Sequence, residues 1–575
     1  MLACAHVLAM LQVDNAQIAR AFDELADLLE LDGENPFKLR AYRNFAETAR
    51  ELDQSLADIA MRGELTDMDG VGKAIAAKVE QMLATGTFEA LDRARSSVPL
   101  TLLDLLRLPG FGAKTVRTIW QGAQVTTLAE LVRACDDGRL AALPGIGIKK
   151  QTKARAAALE LIEGAGSTLL FSALEASAEL EAHLKSAGVT EVVLTGAARR
   201  GMALVNEVLV LAREADPARI LESLAGADPD IDMLPPEGSD IAVLVQGTRV
   251  HVRAVPNDAW IATLVSTTGS DAHVRFLEER AGGADGFRSV CGRAHTERDV
   301  YAALGLSYVP PELRDQTRAD VPASLVERLH GVFHVHTEWS DGKATIAGMA
   351  RAARDAGFAF VGISDHSRAA SYANGLDAAR LREQIAAMER ARAEVPEVTI
   401  LHGVEVDIMP DGTLDLDDDI LAELDFVIAS VHARLDMSPE AMTSRIVRAV
   451  RHPLVTMLGH PTGRLLRARR GYTFDIAAVA RAAADNDTYL EINGNAHRLD
   501  LSDTLARQAA DVGARFAVNP DAHTPAAFAD TSLGLTVARR AGLSKDRILN
   551  AAPRDDLVRI LAARKEAARA RLTSV

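Results

Sequence analysis

Thiols, net positive charge and long apolar runs are scarce or missing in this chain. Its three cysteines, Cys4, Cys135 and Cys291, stand far apart among 575 residues. They build neither a disulfide framework nor a thiolate metal site, and they fit a reducing cytoplasm. Lys and Arg number 64 against 80 Asp and Glu, a formal net charge of −16. Such a chain does not hold nucleic acid by bulk positive charge; it needs local basic patches or backbone sites for phosphate. No run reaches transmembrane length, so no membrane partner is expected. The apolar start, MLACAHVLAMLQ, lacks a basic leader and reads as a helix or an extended start, not a signal peptide. Apolar residues still make up 48% of the sequence. That is enough for sizeable cores, and the length fits several domains at about 100–200 residues each.

Residues 14–95 read as helical, with Ala19, Phe22, Leu25, Ala26 and Leu29 at helix spacing. A glycine motif then recurs three times, at Asp69-Gly70-Val71-Gly72-Lys73, Pro109-Gly110-Phe111-Gly112-Ala113-Lys114 and Pro144-Gly145-Ile146-Gly147-Ile148-Lys149. Each copy follows an apolar helical stretch and opens another helix. Paired glycines let the backbone turn tightly and present amide N–H groups at a helix start, which binds a phosphate oxygen without any side chain. A single Gly-x-Gly is more often a structural turn, but three with the same flanks point to helix-hairpin-helix binding of the DNA backbone. Gly70, Gly72, Gly110, Gly112, Gly145 and Gly147 are the expected contacts, with charge from Lys114 and Lys149. Such contacts grip DNA without reading its sequence.

The stretches NPFKLRAYRNFAETARELDQSLADI and LTDMDGVGKAIAAKVEQMLATGTFEALDRAR resemble the N-terminal domain of family X DNA polymerases. In animal relatives this domain removes a 5′-deoxyribose phosphate through a lysine Schiff base. The resemblance puts that lysine at Lys78 and the phosphate pocket near Lys38 and Tyr42; a solvated lysine on an amphipathic helix is the alternative. Further on, LTGAARRGMALVNEVLVLA resembles the palm motif of the family. Two aspartates of that motif bind the ions for nucleotidyl transfer, and a third carboxylate lies on a nearby strand. Here those positions are Glu207, Leu209 and His251. Leucine offers no ligand, and imidazole nitrogen suits Mg²⁺ poorly. The motif's serine is Ala197. In the nucleotide-pocket segment STTGSDAHV, Gly269, Ser270 and His273 remain, while Thr267 and Val274 replace the aromatic residue and the asparagine. The palm is thus expected to be an inactive remnant. Its Arg199, Arg200 and Arg253 either bind DNA and position domains or form ordinary salt bridges.

From residue 330 onward, short apolar strands alternate with Ala-rich helices, the pattern of a parallel α/β domain. The segments VFHVHT, VGISDHS, LHGVEVD, IASVHA, MLGHPTGR, LEINGN and VNPDAHT almost all end in His, Asp or Glu where a strand gives way to a loop. In a barrel of parallel strands such ends collect on one face. A lone histidine is usually structural; this series is not. It resembles the polymerase and histidinol phosphatase (PHP) family, a distorted seven-stranded α/β barrel with up to three metals. Residue by residue, the family's metal ligands fall on His334, His336, Asp341, His366, Glu405, His432, His460, Asp521 and His523. Asp365 fits a ligand or an orienting role. The resemblance departs at Val332-Phe333, where Asp-Leu is common. Mixed His and carboxylate donors suit two or three ions of Mn, Zn or Fe better than Mg²⁺. Such ions supply an activated water and charge stabilisation for attack on phosphorus. The catalytic set is then His334, His336, Glu405 and Asp521, with Glu405 as the bridging carboxylate. The basic run after His460, with Arg464 and Arg467 foremost, is a candidate contact for the DNA backbone or else a solvated face. Arg368, Arg434 and Arg498 are weaker phosphate candidates.

The expected architecture is multidomain, α+β and α/β. A helical domain over 14–95 carries the first hairpin, and a second hairpin region covers 96–165. A polymerase-β-like palm and thumb spans 166–316, a linker 317–329, and a distorted (β/α)7 PHP barrel 330–575. This order resembles bacterial family X DNA polymerases over essentially the full length. The resemblance implies a DNA-repair protein, nucleoid-associated in the cytoplasm, acting on gapped, nicked or abasic DNA. Its barrel would serve as 3′→5′ exonuclease, apurinic endonuclease or 3′-phosphatase. A phosphatase for a small metabolite, or a DNA-binding scaffold without catalysis, are the rivals.

Overall fold

The computed structural model describes residues 13, 15–52, 54–68, 70–108, 110–163, 166–225, 231–235, 240–315 and 321–573. The start MLACAHVLAMLQ, expected as a helix or an extended start, Cys4, Asp69 and Pro109 of the hairpin motifs, and residues 317–320 of the expected linker lie outside them. The chain divides into two compact units after residue 165, apart from Arg467–Arg469. Among the described residues, no helix is long and apolar enough to cross a membrane. Cys135 and Cys291 are free and buried.

The first unit is helical. The helix Asn15–Asp32 buries Ala19, Phe22, Leu25 and Ala26, four of the positions that the spacing marks, and half-buries Leu29. Phe22 gathers Tyr42, Phe45 and Phe88 around it, with ring centroids 5.9, 4.6 and 5.1 Å away. Each glycine motif opens a helix: Lys73–Thr85, Ala113–Ala123 and Ile148–Glu163.

The second unit begins with a five-stranded mixed sheet in the order Val192–Leu194, Leu209–Arg213, Thr248–Val255, Ile241–Val245, Ile231–Met233. The apolar stretch Val205–Leu211 does not form one strand, because the polar pair Asn206-Glu207 turns out to solvent. Leu204–Val205 pairs with Thr168–Leu169 instead, and Leu209–Arg213 enters the sheet. There Leu209 lies directly opposite His251 on the parallel neighbour.

Seven parallel strands follow in sequential order: Gly331–Val332, Phe360–Ile363, Thr399–Asp407, Phe426–Ser430, Met457–Leu458, Tyr489–Asn493 and Arg515–Asn519. Helices cover them outside, so the strands are buried on both faces and read as continuous apolar runs. The row nearly closes into a barrel. His336 N–H donates to the Ala522 carbonyl (2.8 Å) and Ala522 N–H to that of His334 (3.0 Å), which ties the first strand's exit to the last. Inside the barrel, Gly362 and Gly403 make room for the Phe426 ring; a Cβ on them would stand 2.7 and 2.4 Å from it.

Ion pairs join sheet and barrel within this unit. Asp315 takes Arg200 at 2.5 Å and the buried Arg540 at 2.7 Å, and Arg540 also reaches Asp503 at 3.1 Å. Gly201 packs so closely that a Cβ would sit 2.1 Å from Thr536. Arg199 pairs with Glu297 at 2.7 Å, which also holds the fully buried Arg314, and Arg253 pairs with Asp240 at 2.6 Å. All three palm arginines are thus held in intramolecular ion pairs, and that of Arg200 links the sheet to the barrel. His273 is likewise internal: it is fully buried, with Nε2 2.8 Å from the Tyr301 hydroxyl.

Candidate metal centre and phosphate-binding turns

The barrel strands deliver their polar side chains at their C-terminal ends, as parallel barrels do. His334 and His336 leave the first strand, His366 the second, His432 the fourth, His460 the fifth, and Asp521 and His523 the seventh. Glu405 lies within the third. All nine residues of the expected set come together. Their donor atoms form four overlapping groups, each within 4.8 Å: His336/Asp341/His366/His523, His334/Glu405/His460, His334/His336/Asp521 and His366/Glu405/His432. Glu405 is the hub. Its Oε1 stands 3.3, 3.3 and 2.8 Å from His334, His432 and His460, and its Oε2 stands 3.7 and 2.8 Å from His336 and His366.

The cluster fits divalent cations on a structural ground. His334 Nε2, both ring nitrogens of His336, His366 Nδ1, His460 Nδ1 and Glu405 Oε2 are buried without a hydrogen-bond partner. Several point at one another at contact distance, an arrangement that is costly unless a shared cation satisfies it. His460 and Asp521 also adopt positive φ, 21° and 54°, which non-glycine residues rarely take and which clusters at functional sites. Access is graded. His334, His336, Glu405 and His460 are buried, while the side chains of Asp341 and His523 are 32% and 34% exposed, so solvent reaches the site from their side.

Charge inside the cluster is balanced by protons on imidazole. Burial would strip His334 of its proton, but Glu491, Asp521 and Glu405 outweigh it and raise its pKa well above the free value. Burial is likewise overcome at His432, which Glu405 and Asp407 raise to about 10, and at His523, which Asp341 and Asp521 raise to about 9. His336 goes the other way: burial, reinforced by His523 and His366, pulls it down to about 3.

Two orienting carboxylates, Glu491 in the segment LEINGN and Asp407 at the end of LHGVEVD, were given no role from the sequence. Glu491 is fully buried between Leu490 and Ile492. It takes His334 Nδ1 at 2.7 Å, the His460 amide at 2.6 Å, and the Asn519 and Asn493 amides at 2.9 and 3.1 Å. It thereby aims Nε2 of His334 into the cluster. Asp407 does the same for His432 at 3.2 Å. A charge inside an otherwise apolar parallel strand is the signal that could have found Glu491, and Asp407 stands at the end of its strand. Asp365 orients: it accepts from Thr337 N–H and hydroxyl (both 2.7 Å), Ser340 (2.5 Å) and Gln384 (2.7 Å), which fixes the loop between His336 and Asp341.

Among the basic candidates, Arg498 reaches the centre, 3.4 Å from Asp521. Arg464 turns inward: its guanidinium donates to the Arg498 carbonyl at 2.8 Å and to that of Leu499, which makes it a loop latch rather than an open phosphate contact. Arg467 is half-buried in a left-handed conformation, φ 61°. Arg368 is paired with Asp415 at 3.3 Å, and Arg434 adopts φ 56°.

The three glycine turns share one geometry. Val71, Phe111 and Ile146 are buried and donate their amides to the carbonyls of Met68, Leu108 and Leu143 at 3.1, 3.0 and 3.1 Å. Gly70, Gly110 and Gly145 have φ near 75–78°, which glycine permits. Gly72, Gly112 and Gly147 have ordinary φ, and a Cβ on them would meet nothing within 4 Å. Lys114 and Lys149 are exposed beside them. Lys78 lies over the Tyr42 ring, 5.5 Å from its centroid, and donates to the Ala74 carbonyl at 2.9 Å; Lys38 is paired with Glu34 at 2.7 Å.

Comparison with known proteins agrees with both features. The helix-hairpin-helix domain family matches residues 13–88, the SAM-like helix-hairpin-helix tandem matches 62–124 and 102–153, and the PHP domain family matches 333–495. The chain is therefore a helix-hairpin-helix protein carrying a PHP domain. It is 32% identical to DNA polymerase/3′-5′ exonuclease PolX of Bacillus subtilis (strain 168) over 93% of its own length and 97% of that protein's. It belongs to the PolX family, the bacterial family X DNA polymerases with a C-terminal PHP domain. Over 27% of its length the chain is 33% identical to a "probable phosphatase" of Thermoanaerobacter sp. (strain X514), 66% of which is covered, and over 28% it is 29% identical to one of Shewanella sediminis, again covering 66%.

Proposed function

We propose that this protein processes DNA in repair, with a metal-dependent phosphoesterase in the PHP barrel acting as 3′→5′ exonuclease, apurinic endonuclease or 3′-phosphatase. In this reading the hairpins bind DNA and the palm no longer polymerises. The observation that carries it is the convergence of nine donor residues, five of which hold buried atoms without a hydrogen-bond partner. His334, His336, Asp341, His366, Glu405, His432, His460, Asp521 and His523 would hold two or three divalent ions. Those ions supply an activated water and stabilise charge on the leaving oxygen. The chain's own part is positional. Glu491 and Asp407 fix imidazole tautomers, Glu405 sets the spacing of the cluster, and Arg498 sits where a phosphate oxygen would approach. The relative's name joins polymerase and 3′-5′ exonuclease; of the two activities, the donor set here favours hydrolysis. A small-metabolite phosphatase would leave three matching phosphate-binding turns without a use.

The test is incubation of the full chain and Mn²⁺ with labelled gapped, recessed, abasic and 3′-phosphate DNA beside p-nitrophenyl phosphate. Hydrolysis of a DNA end or lesion is expected. Turnover of the small ester alone would sink the reading.

Two further outcomes follow from the geometry. A Cβ at Gly72 or Gly112 meets nothing within 4 Å, so the variant with leucine at both should keep its melting temperature. It should nevertheless bind DNA about tenfold more weakly per turn, ~1.4 kcal/mol each, at one fixed salt concentration. Unchanged affinity would remove the hairpins from DNA binding. The second concerns pH. Carboxylates hold protons on His432 and His523 up to about 10 and about 9, so at neutral pH a cation must displace them. Mn²⁺ affinity should therefore rise between about pH 6 and pH 8, with proton release visible by calorimetry in buffers of different ionisation heat. An affinity independent of pH contradicts the assignment of these two residues.

A further inference from the structure

Beside the metal centre stands an aromatic ring with no internal employment. Tyr372 is 73% exposed, among the most exposed large side chains of the protein. Its ring centroid nonetheless lies 6.2 Å from that of His366 and 6.5 Å from that of His432, inclined at 59° and 76°. The ring therefore borders the cluster but stacks on neither imidazole.

The loop that carries Tyr372 is held in place. Leu376 N–H donates to the His366 carbonyl at 2.7 Å, and Ala373 N–H to that of Ala370 at 2.9 Å. Arg380 clamps the far side by donating to the carbonyls of Asn374 at 2.8 Å and Trp339 at 2.6 Å. Gly375 packs so tightly that a Cβ would stand 1.9 Å from the Ser367 carbonyl oxygen. Both alanines near the ring, Ala370 and Ala373, are buried, which leaves Tyr372 and Ser371 on the outward side of a fixed turn. An apolar ring presented to water by a rigid loop is a surface waiting for a flat partner.

We infer that Tyr372 is the stacking platform for the nucleobase next to the scissile phosphate, and so the element by which the barrel recognises a nucleoside and not a bare phosphoester. The inference rests on the reading of the barrel as a hydrolase of DNA ends. With the phosphate at the imidazoles, the gap to the phenol ring is comparable to the sugar that separates phosphate from base. Stacking accepts every base, since each has a π face, so the platform confers selectivity for nucleosides without sequence preference. Tyr372 positions substrate and takes no part in bond cleavage.

The experiment uses the full chain with Mn²⁺ and two 3′-recessed duplexes, identical except that the terminal nucleotide either bears its base or carries a reduced abasic sugar. The readout is the ratio of kcat/KM for the two ends. The wild-type chain should favour the base-bearing end. The ratio should fall roughly ten- to a hundredfold in Tyr372→Ala and be retained in Tyr372→Phe and Tyr372→Trp. A second readout needs no turnover: with EDTA present, a 3′-terminal 2-aminopurine should be quenched on binding the wild type and Tyr372→Phe, but not Tyr372→Ala. A wild type without preference, or a ratio unchanged in Tyr372→Ala whatever the absolute rates, overturns the platform alone. Hydrolysis of neither duplex by the wild type removes the DNA-end reading and this inference with it.

Discussion

Replacing Glu405 by glutamine should lower metal-dependent phosphoester hydrolysis by about three orders of magnitude, equivalent to ~4 kcal/mol of transition-state stabilisation. Among the described residues, no other carboxylate of the cluster lies within ion-pair distance of as many imidazoles. Its two oxygens lie within 3.7 Å of five imidazoles from four different strand ends. The amide keeps the shape but removes a charge that two of the four donor groups contain directly and the other two reach through His334 or His366. The fold should survive, because Glu405 is flanked by the apolar Val404 and Val406 and the core clusters around the barrel are apolar. Mn²⁺ titration of the variant should show weakened binding together with the lost rate. Activity within tenfold of the wild type would dismiss Glu405 as the hub.

Template-directed synthesis should be absent. The polymerase reaction needs two cations held by carboxylates, and the positions that the family uses are occupied here by Glu207, Leu209 and His251. Leu209 is buried and faces its strand partner His251 across the sheet, so the gap is not filled by a neighbour. The adjacent carboxylate, Asp240, is occupied by the Arg253 fork at 2.8 and 2.6 Å. Among the described residues, no group of three donor side chains close enough to hold a cation includes Glu207 or His251. A gapped primer incubated with dNTPs and Mg²⁺ or Mn²⁺ should not be extended. Extension that a palm substitution abolishes would restore the polymerase to this protein.

The metal cluster was legible in the sequence because its donors sit at strand exits, where an apolar run gives way to His, Asp or Glu. One-dimensional order and spatial convergence coincide in a parallel barrel. The turns were legible for a similar reason, since Gly-x-Gly is local. What escaped depends on contacts far apart in sequence. Glu491 was hidden inside an apolar strand and is recognised only by its bond to His334, far upstream. Arg464 looked like part of an open basic run, yet its guanidinium latches the loop at Arg498 and Leu499. The break at Asn206-Glu207 was masked by the apolar residues on both sides, and the Arg200–Asp315–Arg540 bridge joins three separate segments. Tyr372 carries no motif. Only its exposure beside two imidazoles singles it out.

These strand-end side chains are proposed to form one metal-dependent centre that hydrolyses DNA. The most direct measurement is hydrolysis of a labelled 3′-recessed duplex by the full chain after chelation and after Mn²⁺ is restored, beside the double variant His336→Ala and Asp521→Ala. His336 and Asp521 come from opposite ends of the strand row and meet at 3.3 Å only in the closed barrel. The account predicts loss of hydrolysis on chelation, recovery with Mn²⁺, and no recovery in a double variant that still melts cooperatively. Undiminished Mn²⁺-dependent hydrolysis by that variant would contradict it.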